Sequence, residues 1–338
     1  MSVRPQSVLL QEGSYGCAFT PPVPCKGRQS RSSKGKKTKK IKKRIVGKVM
    51  LEKDAEIELS IAQLVKHIPG YERYFIIQEK DNCTIEDFKK LRNEYEDKCQ
   101  MFKKHSNKDL IQLLSPFGGT PLYEMAFHSS FDFIGSLRHM LEGVVKLQQQ
   151  GICHFDLHTG NILVDSHETM RIIDFGAAFV GDQVNQKNLW LHIYDFSPEY
   201  DPQPPELSVM NGLYSNKPLL QSIVDTVKYK KVMKITEQIF GYSLEEQEND
   251  LRYFWKNDTT YEGGSWIPFF HRFWKTWDTW SIGVIFIKLL QKALFNPSFL
   301  IKTWSVHGPV IRKVLKGLLH PNPEYRFSAE KALSLLSS

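Results

Sequence analysis

His154-Phe155-Asp156-Leu157-His158-Thr159-Gly160-Asn161, with Asp174-Phe175-Gly176 further on, restricts this chain more than any other feature. Asp174 stands 18 residues after Asp156, and the stretch between holds two short β-branched runs, 162–164 and 171–173, that read as strands. Either fragment alone also fits an ordinary turn. Together they bring two carboxylates and an amide into one stretch of chain, groups able to exchange a proton or to ligate a hard cation.

Size and composition permit such a site a large scaffold. The chain has 338 residues, 41% of them hydrophobic and 24% charged, which is a globular composition with room for two lobes or domains. Met1 to Leu10 lacks the pattern of a secretory signal, and the longest apolar run, Ile282 to Leu290, is interrupted by Gly283 and Lys288; neither a secreted protein nor a membrane span is expected. Five scattered cysteines (Cys17, Cys25, Cys83, Cys99, Cys153) without a C-x-x-C pair fit a reducing cytoplasm. The net charge of +8 comes from one segment: Lys26 to Arg44 carries 11 Lys/Arg and no acid, leaving 34 bases against 37 acids elsewhere. The tract is read either as a solvated loop or as a surface for weak contact with nucleic acid, an acidic partner or an anionic membrane, or as a nuclear address; nucleic-acid contact would be salt-sensitive and sequence-indifferent, because no aromatic residue interrupts the tract to stack on bases.

Along the chain, Val8 to Leu10, a glycine-containing turn and Cys17 to Thr20 read as strand, loop, strand, and Ile45 to Leu51 as a further strand of the same small antiparallel sheet. Pro21 to Pro24 and the basic tract between them are expected to form a flexible insertion. Ile57, Ile61, Leu64 and Val65 recur at helical spacing within 54–67, and Pro69-Gly70 ends the pattern. Tyr74 to Gln78 and Leu110 to Leu114 are further strand candidates with a charged helical stretch between them, and Ser115 to Gly119 breaks the chain. Phe131 to Gln149 is predicted helical, most of the remainder likewise, and the aromatic run from Phe269 to Trp280 is expected to be core rather than a ligand cage.

The two fragments described first resemble the catalytic loop and the D-F-G of protein kinases, and other motifs follow in family order. Gln11-Glu12-Gly13-Ser14-Tyr15-Gly16-Cys17-Ala18 resembles the glycine-rich loop, with Gln11 where the first glycine would be; Val46-Gly47-Lys48 resembles the V-A-I-K strand. Pro204-Pro205-Glu206 resembles the A-P-E, with Ser197-Pro198-Glu199 competing; Asp278-Thr279-Trp280-Ser281-Ile282-Gly283 resembles the start of the central helix of the larger lobe, and Pro321 to Arg326 the late arginine motif. The resemblance covers Val8 to Leu336, and the catalytic loop, the Gly-Gly break and the long inserts look most like serine/threonine kinases of large nucleocytoplasmic DNA viruses.

The resemblance implies an α+β, bilobal fold: a small β-rich N-lobe over 1–114 with an insertion at about 21–44, a hinge at 115–121, and a larger helical C-lobe over 122–338 with an insertion at about 211–265. ATP and Mg²⁺ would bind between the lobes. Asp156 would take the hydroxyl proton, Asn161 and Asp174 would hold metal, and Gly13, Ser14, Tyr15, Gly16, Ala18, Lys48 and His158 would hold the nucleotide. Glu58 is expected to pair with Lys48, with Glu56 as alternative; Asp278 would anchor the catalytic loop, and Arg326 would pair with Glu206. Serine or threonine of protein substrates is the expected acceptor.

Two residues depart from the pattern. Phe155 stands where an arginine usually precedes the catalytic Asp, which removes the central member of a phosphate-receiving pocket and implies activity without activation-loop phosphorylation. His158 replaces the lysine near the γ-phosphate, and Asp-Leu-His-x-Gly-Asn also resembles small-molecule phosphotransferases. Those, and a catalytically silent scaffold, are the competing functions.

Overall fold

The computed structural model describes residues 6–13, 15–24, 44–80, 95, 97–106, 109–128, 130–258, 260 and 265–337. The described residues up to Glu72, with Ile76–Gly119 and Ile173–Gly176, form one compact unit; Arg73–Phe75, Thr120–Ile172 and those from Ala177 onward form a second.

The first unit is built on a five-stranded antiparallel sheet of β1 (Val8–Gly13), β2 (Gly16–Thr20), β3 (Ile45–Leu51), β4 (Glu79–Lys80) and β5 (Leu110–Pro116), in the order β1-β2-β3-β5-β4. Strand alternation sorts its side chains. Cys17 and Phe19 of β2 share a face with Val49, which lies opposite Cys17, and pack with Tyr95, Cys99, Phe102 and Leu110. Met50, Ile111 and Leu113 point to the other face, where Ala55 and Leu59 of helix α1 (Glu52–Lys66) cover them. The buried stripe of α1 is Ala55, Glu58, Ile61, Ala62 and Val65; Ile57, expected on that stripe, is exposed.

Two expectations about this unit need correction. Pro21 to Pro24 is not a free solvated lead into the basic tract: Val23 is buried in the core, its N–H donating to Gln112 Oε1 at 2.8 Å while Gln112 Nε2 donates back to Val23 O at 3.2 Å. The basic residues 26–43 lie outside the described residues, and Arg44 stacks over Phe117 at 4.0 Å. Tyr74 to Gln78 is not a strand. Tyr74 and Phe75 belong to the second unit, where Ile172 N donates to Tyr74 O at 2.8 Å and the Tyr74 ring stacks on His139 at 4.7 Å; this packing competes with the pleat. The helix predicted between the strand candidates is described only as α2 (Gln100–Lys104). Cys17 and Cys99, 82 residues apart, form a disulfide, a pairing that linear spacing did not reveal.

The second unit is mainly helical. Helix α3 (Phe133–Gln149) starts at Asp132, whose carboxylate accepts the Gly135 N–H at 2.8 Å, and buries Leu137, Met140, Leu141, Val144 and Leu147 at helical spacing. Around the predicted insertion run α4 (Pro205–Tyr214), α5 (Leu219–Tyr229), α6 (Lys231–Phe240) and α7 (Leu244–Asn257), the last opened by a Ser243–Glu246 capping box. Then come α8 (Ile267–Phe273), α9 (Trp277–Ala293), α10 (Ser305–Leu318) and α11 (Ala329–Leu336). The aromatic run is core as expected, with Phe269, Phe270, Phe273, Trp274, Trp277 and Trp280 all buried. Short strands β6 (Thr120–Pro121), β8 (Ile162–Val164) and β9 (Met170–Ile172) form one small sheet, and β7 (Ile152–Cys153) pairs with β10 (Phe179–Val180). Among the described residues no single helix is long and apolar enough to cross a membrane.

Candidate active site

In the first unit, β3 and α1 bring a lysine to two carboxylates. Lys48 shares a sheet face with Met50 and lies opposite Ala18 and Leu113, so its stem crosses the apolar layer beneath α1. Its Nζ donates to Glu58 Oε2 at 2.9 Å and to Asp174 Oδ1 at 2.8 Å. Burial alone would lower the Lys48 pKa, but Asp174 and Glu58 outweigh it and hold the ammonium above its ordinary value. Burial pushes the Glu58 carboxyl up, with Lys48 opposing. Glu58, on the buried stripe, is therefore the partner, and Glu56 is exposed.

The β1–β2 turn carries the glycines. Gly13 and Gly16 face each other across the hairpin; a Cβ on Gly16 would come within 2.6 Å of Val49 O, so the close approach of β3 demands glycine there, whereas a Cβ on Gly13 would make only an ordinary contact with Gly16 O at 3.9 Å. Tyr15 is exposed at the tip, Ala18 is half-buried opposite Lys48, and Ser14 lies outside the described residues.

In the second unit, β7 and β8 hold the loop that carries Asp156. Its anchor is Asp278 in the first turn of α9, whose carboxylate accepts the N–H groups of His154 at 2.8 Å and Phe155 at 3.0 Å. Asp278 is fully buried, and burial pushes its carboxyl up. Those two bonds sit where the backbone is strained, because Phe155 has φ 68°, a left-handed conformation costly for a bulky residue. Within the loop, Asn161 Nδ2 donates to Asp156 O at 2.9 Å and to Asp156 Oδ2 at 3.2 Å. With that nitrogen committed, the amide's Oδ1 is left as a ligand atom, and it suits a hard cation, as the Asp174 carboxylate does. His158 Nδ1 accepts the Gly160 N–H at 3.0 Å, which puts the proton of a neutral ring on Nε2, 3.8 Å from Asp156 Oδ2.

Phe155 fills the place of the absent arginine with an aromatic cluster. Its ring meets Phe179 at 5.1 Å, Trp277 at 5.4 Å, Tyr194 at 5.8 Å and His192 at 6.1 Å. His192 is pushed down to about 4 by burial and stays neutral there. One contact had no signal in any motif: the Tyr200 hydroxyl donates to Asp156 Oδ1 at 2.7 Å. Tyr200 belongs to Ser197-Pro198-Glu199-Tyr200, which on sequence competed only as a segment terminator. That competition ends at Glu206, which takes two bonds of 2.7 Å from Arg326 with both side chains fully buried, while Glu199 is exposed.

The geometry thus joins Lys48, Glu58 and Asp174 in one unit, and Asp156, His158 and Asn161 in the other. Comparison with known proteins agrees in kind. The chain is 25% identical over 208 residues to CBL-interacting serine/threonine-protein kinase 15 of Arabidopsis thaliana, an alignment covering 58% of this chain and 35% of that protein, so about a third of the relative's length is matched. Asp278 and Arg326 lie beyond the family match and rest on their own contacts. The family described as "Protein kinase domain" matches residues 11–208, more than half of the sequence, and the chain belongs to it.

Proposed function

We propose that this chain transfers the γ-phosphoryl group of ATP, with Mg²⁺, to serine or threonine hydroxyls of protein substrates. The observation that carries this reading is the Lys48 ammonium held between Glu58 and Asp174, since it draws residues from three separate motifs to one nitrogen. ATP supplies the phosphoryl group, and Mg²⁺ offsets the charge on its phosphate oxygens. Lys48 and the amides of the 13–18 turn hold phosphate oxygens; Asn161 Oδ1 and Asp174 would hold the metal. Asp156, oriented by Asn161, accepts the hydroxyl proton, and His158 Nε2–H is a donor beside it. The serine/threonine assignment is supported by the relative's name, and the choice of a protein substrate by the set of Glu206, Asp278 and Arg326, which small-molecule phosphotransferases usually lack. We propose a host cytoplasm or virion as its location, on the resemblance of the catalytic loop, the Gly-Gly break and the inserts to kinases of large DNA viruses. If that compartment is reducing, Cys17 and Cys99 are alkylated in intact cells; protection of both thiols argues for an oxidising one.

The test is radiolabelled ATP with a basic protein and, separately, a panel of small hydroxyl compounds. Label enters the protein alone, and Asp156→Asn lowers its rate by about 10²–10⁴-fold with the thermal transition unchanged. Label in the small compounds alone supports a small-molecule enzyme, and none in either supports a scaffold.

A further inference from the structure

Both carboxylate oxygens of Asp156 have partners from within the chain. Oδ2 accepts from Asn161 Nδ2 at 3.2 Å, and the same nitrogen ties the Asp156 carbonyl at 2.9 Å, so Asn161 suffices to hold the carboxylate's orientation. Oδ1 is then the oxygen for an acceptor hydroxyl. A hydroxyl is already there, since the Tyr200 phenol donates to it at 2.7 Å, within the reach a proton acceptor needs.

The backbone beneath that phenol is pinned residue by residue. The carbonyls of Tyr200, Asp201 and Pro202 accept from Lys230 Nζ at 2.6 Å, Trp280 Nε1 at 2.9 Å and Ser281 Oγ at 2.8 Å. Lys230 comes from the expected insertion, Trp280 and Ser281 from the central helix α9. The phenol can therefore leave Oδ1 by rotating its side chain while the chain stays put, and Tyr200 is 40% exposed, so water can receive it.

We propose that Tyr200 determines which acceptors reach the base: its phenol occupies Asp156 Oδ1 until a hydroxyl displaces it, so only acceptors with further contacts to the protein gain entry. This rests on the reading of Asp156 as the proton acceptor. Water brings no such contacts and competes poorly against a phenol tethered beside the oxygen. In the transfer that follows displacement, the acceptor oxygen bonds to the γ-phosphorus, its proton passes to Oδ1, and the bond to ADP breaks.

The experiment compares the wild type with Tyr200→Phe, which keeps the ring and the pinned backbone, and with Tyr200→Leu as a second variant. A histone fraction is the acceptor, and ADP release is also followed with no acceptor present. In both variants the KM for histone falls about 10- to 100-fold with kcat within twofold, and acceptor-free hydrolysis rises by a similar factor, the range expected for loss of one hydrogen bond to a charged group. A fall in kcat with KM and hydrolysis unchanged would make Tyr200 an orienting residue and overturn the proposal; so would three unchanged parameters. A wild type that labels nothing, with variants equally silent, removes the kinase reading itself, and this inference with it.

Discussion

Lys230 is wholly buried, and its Nζ donates to the Tyr200 carbonyl at 2.6 Å. Burial lowers its pKa to about 7, with Asp201 and Glu206 opposing, from an ordinary 10.5. Above pH 7 the folded protein has released a proton that the unfolded chain keeps until near pH 10.5, so stability gains from this residue as pH rises through that window. Below pH 7 both states are protonated and the penalty is constant. Denaturant midpoints measured from pH 7 to 9 should rise more steeply for the wild type than for Lys230→Met; equal slopes would show that the lysine does not titrate there. Nothing in the sequence marks Lys230 among its basic neighbours, because burial is a property of the α5–α6 corner. Glu58 was legible by contrast, since its distance from the Pro69-Gly70 stop selects it, although the choice over Glu56 needed the helix phase.

At the scale of elements, the segment after β10 is held to the catalytic loop by rings. Phe155, Phe179, His192, Tyr194 and Trp277 form a cluster where an arginine and a phosphate would otherwise meet. An apolar clasp requires no modification to close, so phosphatase treatment should leave kinase activity unchanged; loss of activity, restored by loop phosphorylation, would sink that expectation. Phe155→Ala should lower unfolding stability by about 2–3 kcal/mol, read from denaturant curves, as large-to-small changes in packed clusters do. The missing arginine was visible in the sequence, but the rings that replace it were not, since they come from four separate stretches of chain. Element periodicity was a sound guide for β1, β2, β3, β5 and α3. It failed at Tyr74 to Gln78, where Tyr74 and Phe75 pack with the second unit while Ile76 to Gln78 belong to the first.

Across the whole molecule, the Arg326–Glu206 pair ties positions 120 residues apart with two bonds of 2.7 Å, and the guanidinium also donates to His320 O at 2.9 Å and Pro321 O at 3.2 Å. Arg326→Ala should cost about 3–5 kcal/mol, because it strands a buried carboxylate, whereas the double change Arg326→Met with Glu206→Leu should cost less. Chemical denaturation of the two variants decides between that account and simple loss of packing. The order and spacing of local motifs were enough to identify the fold class and the family, because each motif is a short run whose backbone and side chains act together. Tyr200 on Asp156, Cys17 bonded to Cys99, Val23 sealed into the sheet and Lys230 beneath the loop are contacts across tens of residues. Their partners are chosen by burial and by where the elements pack, and a linear pattern contains neither quantity.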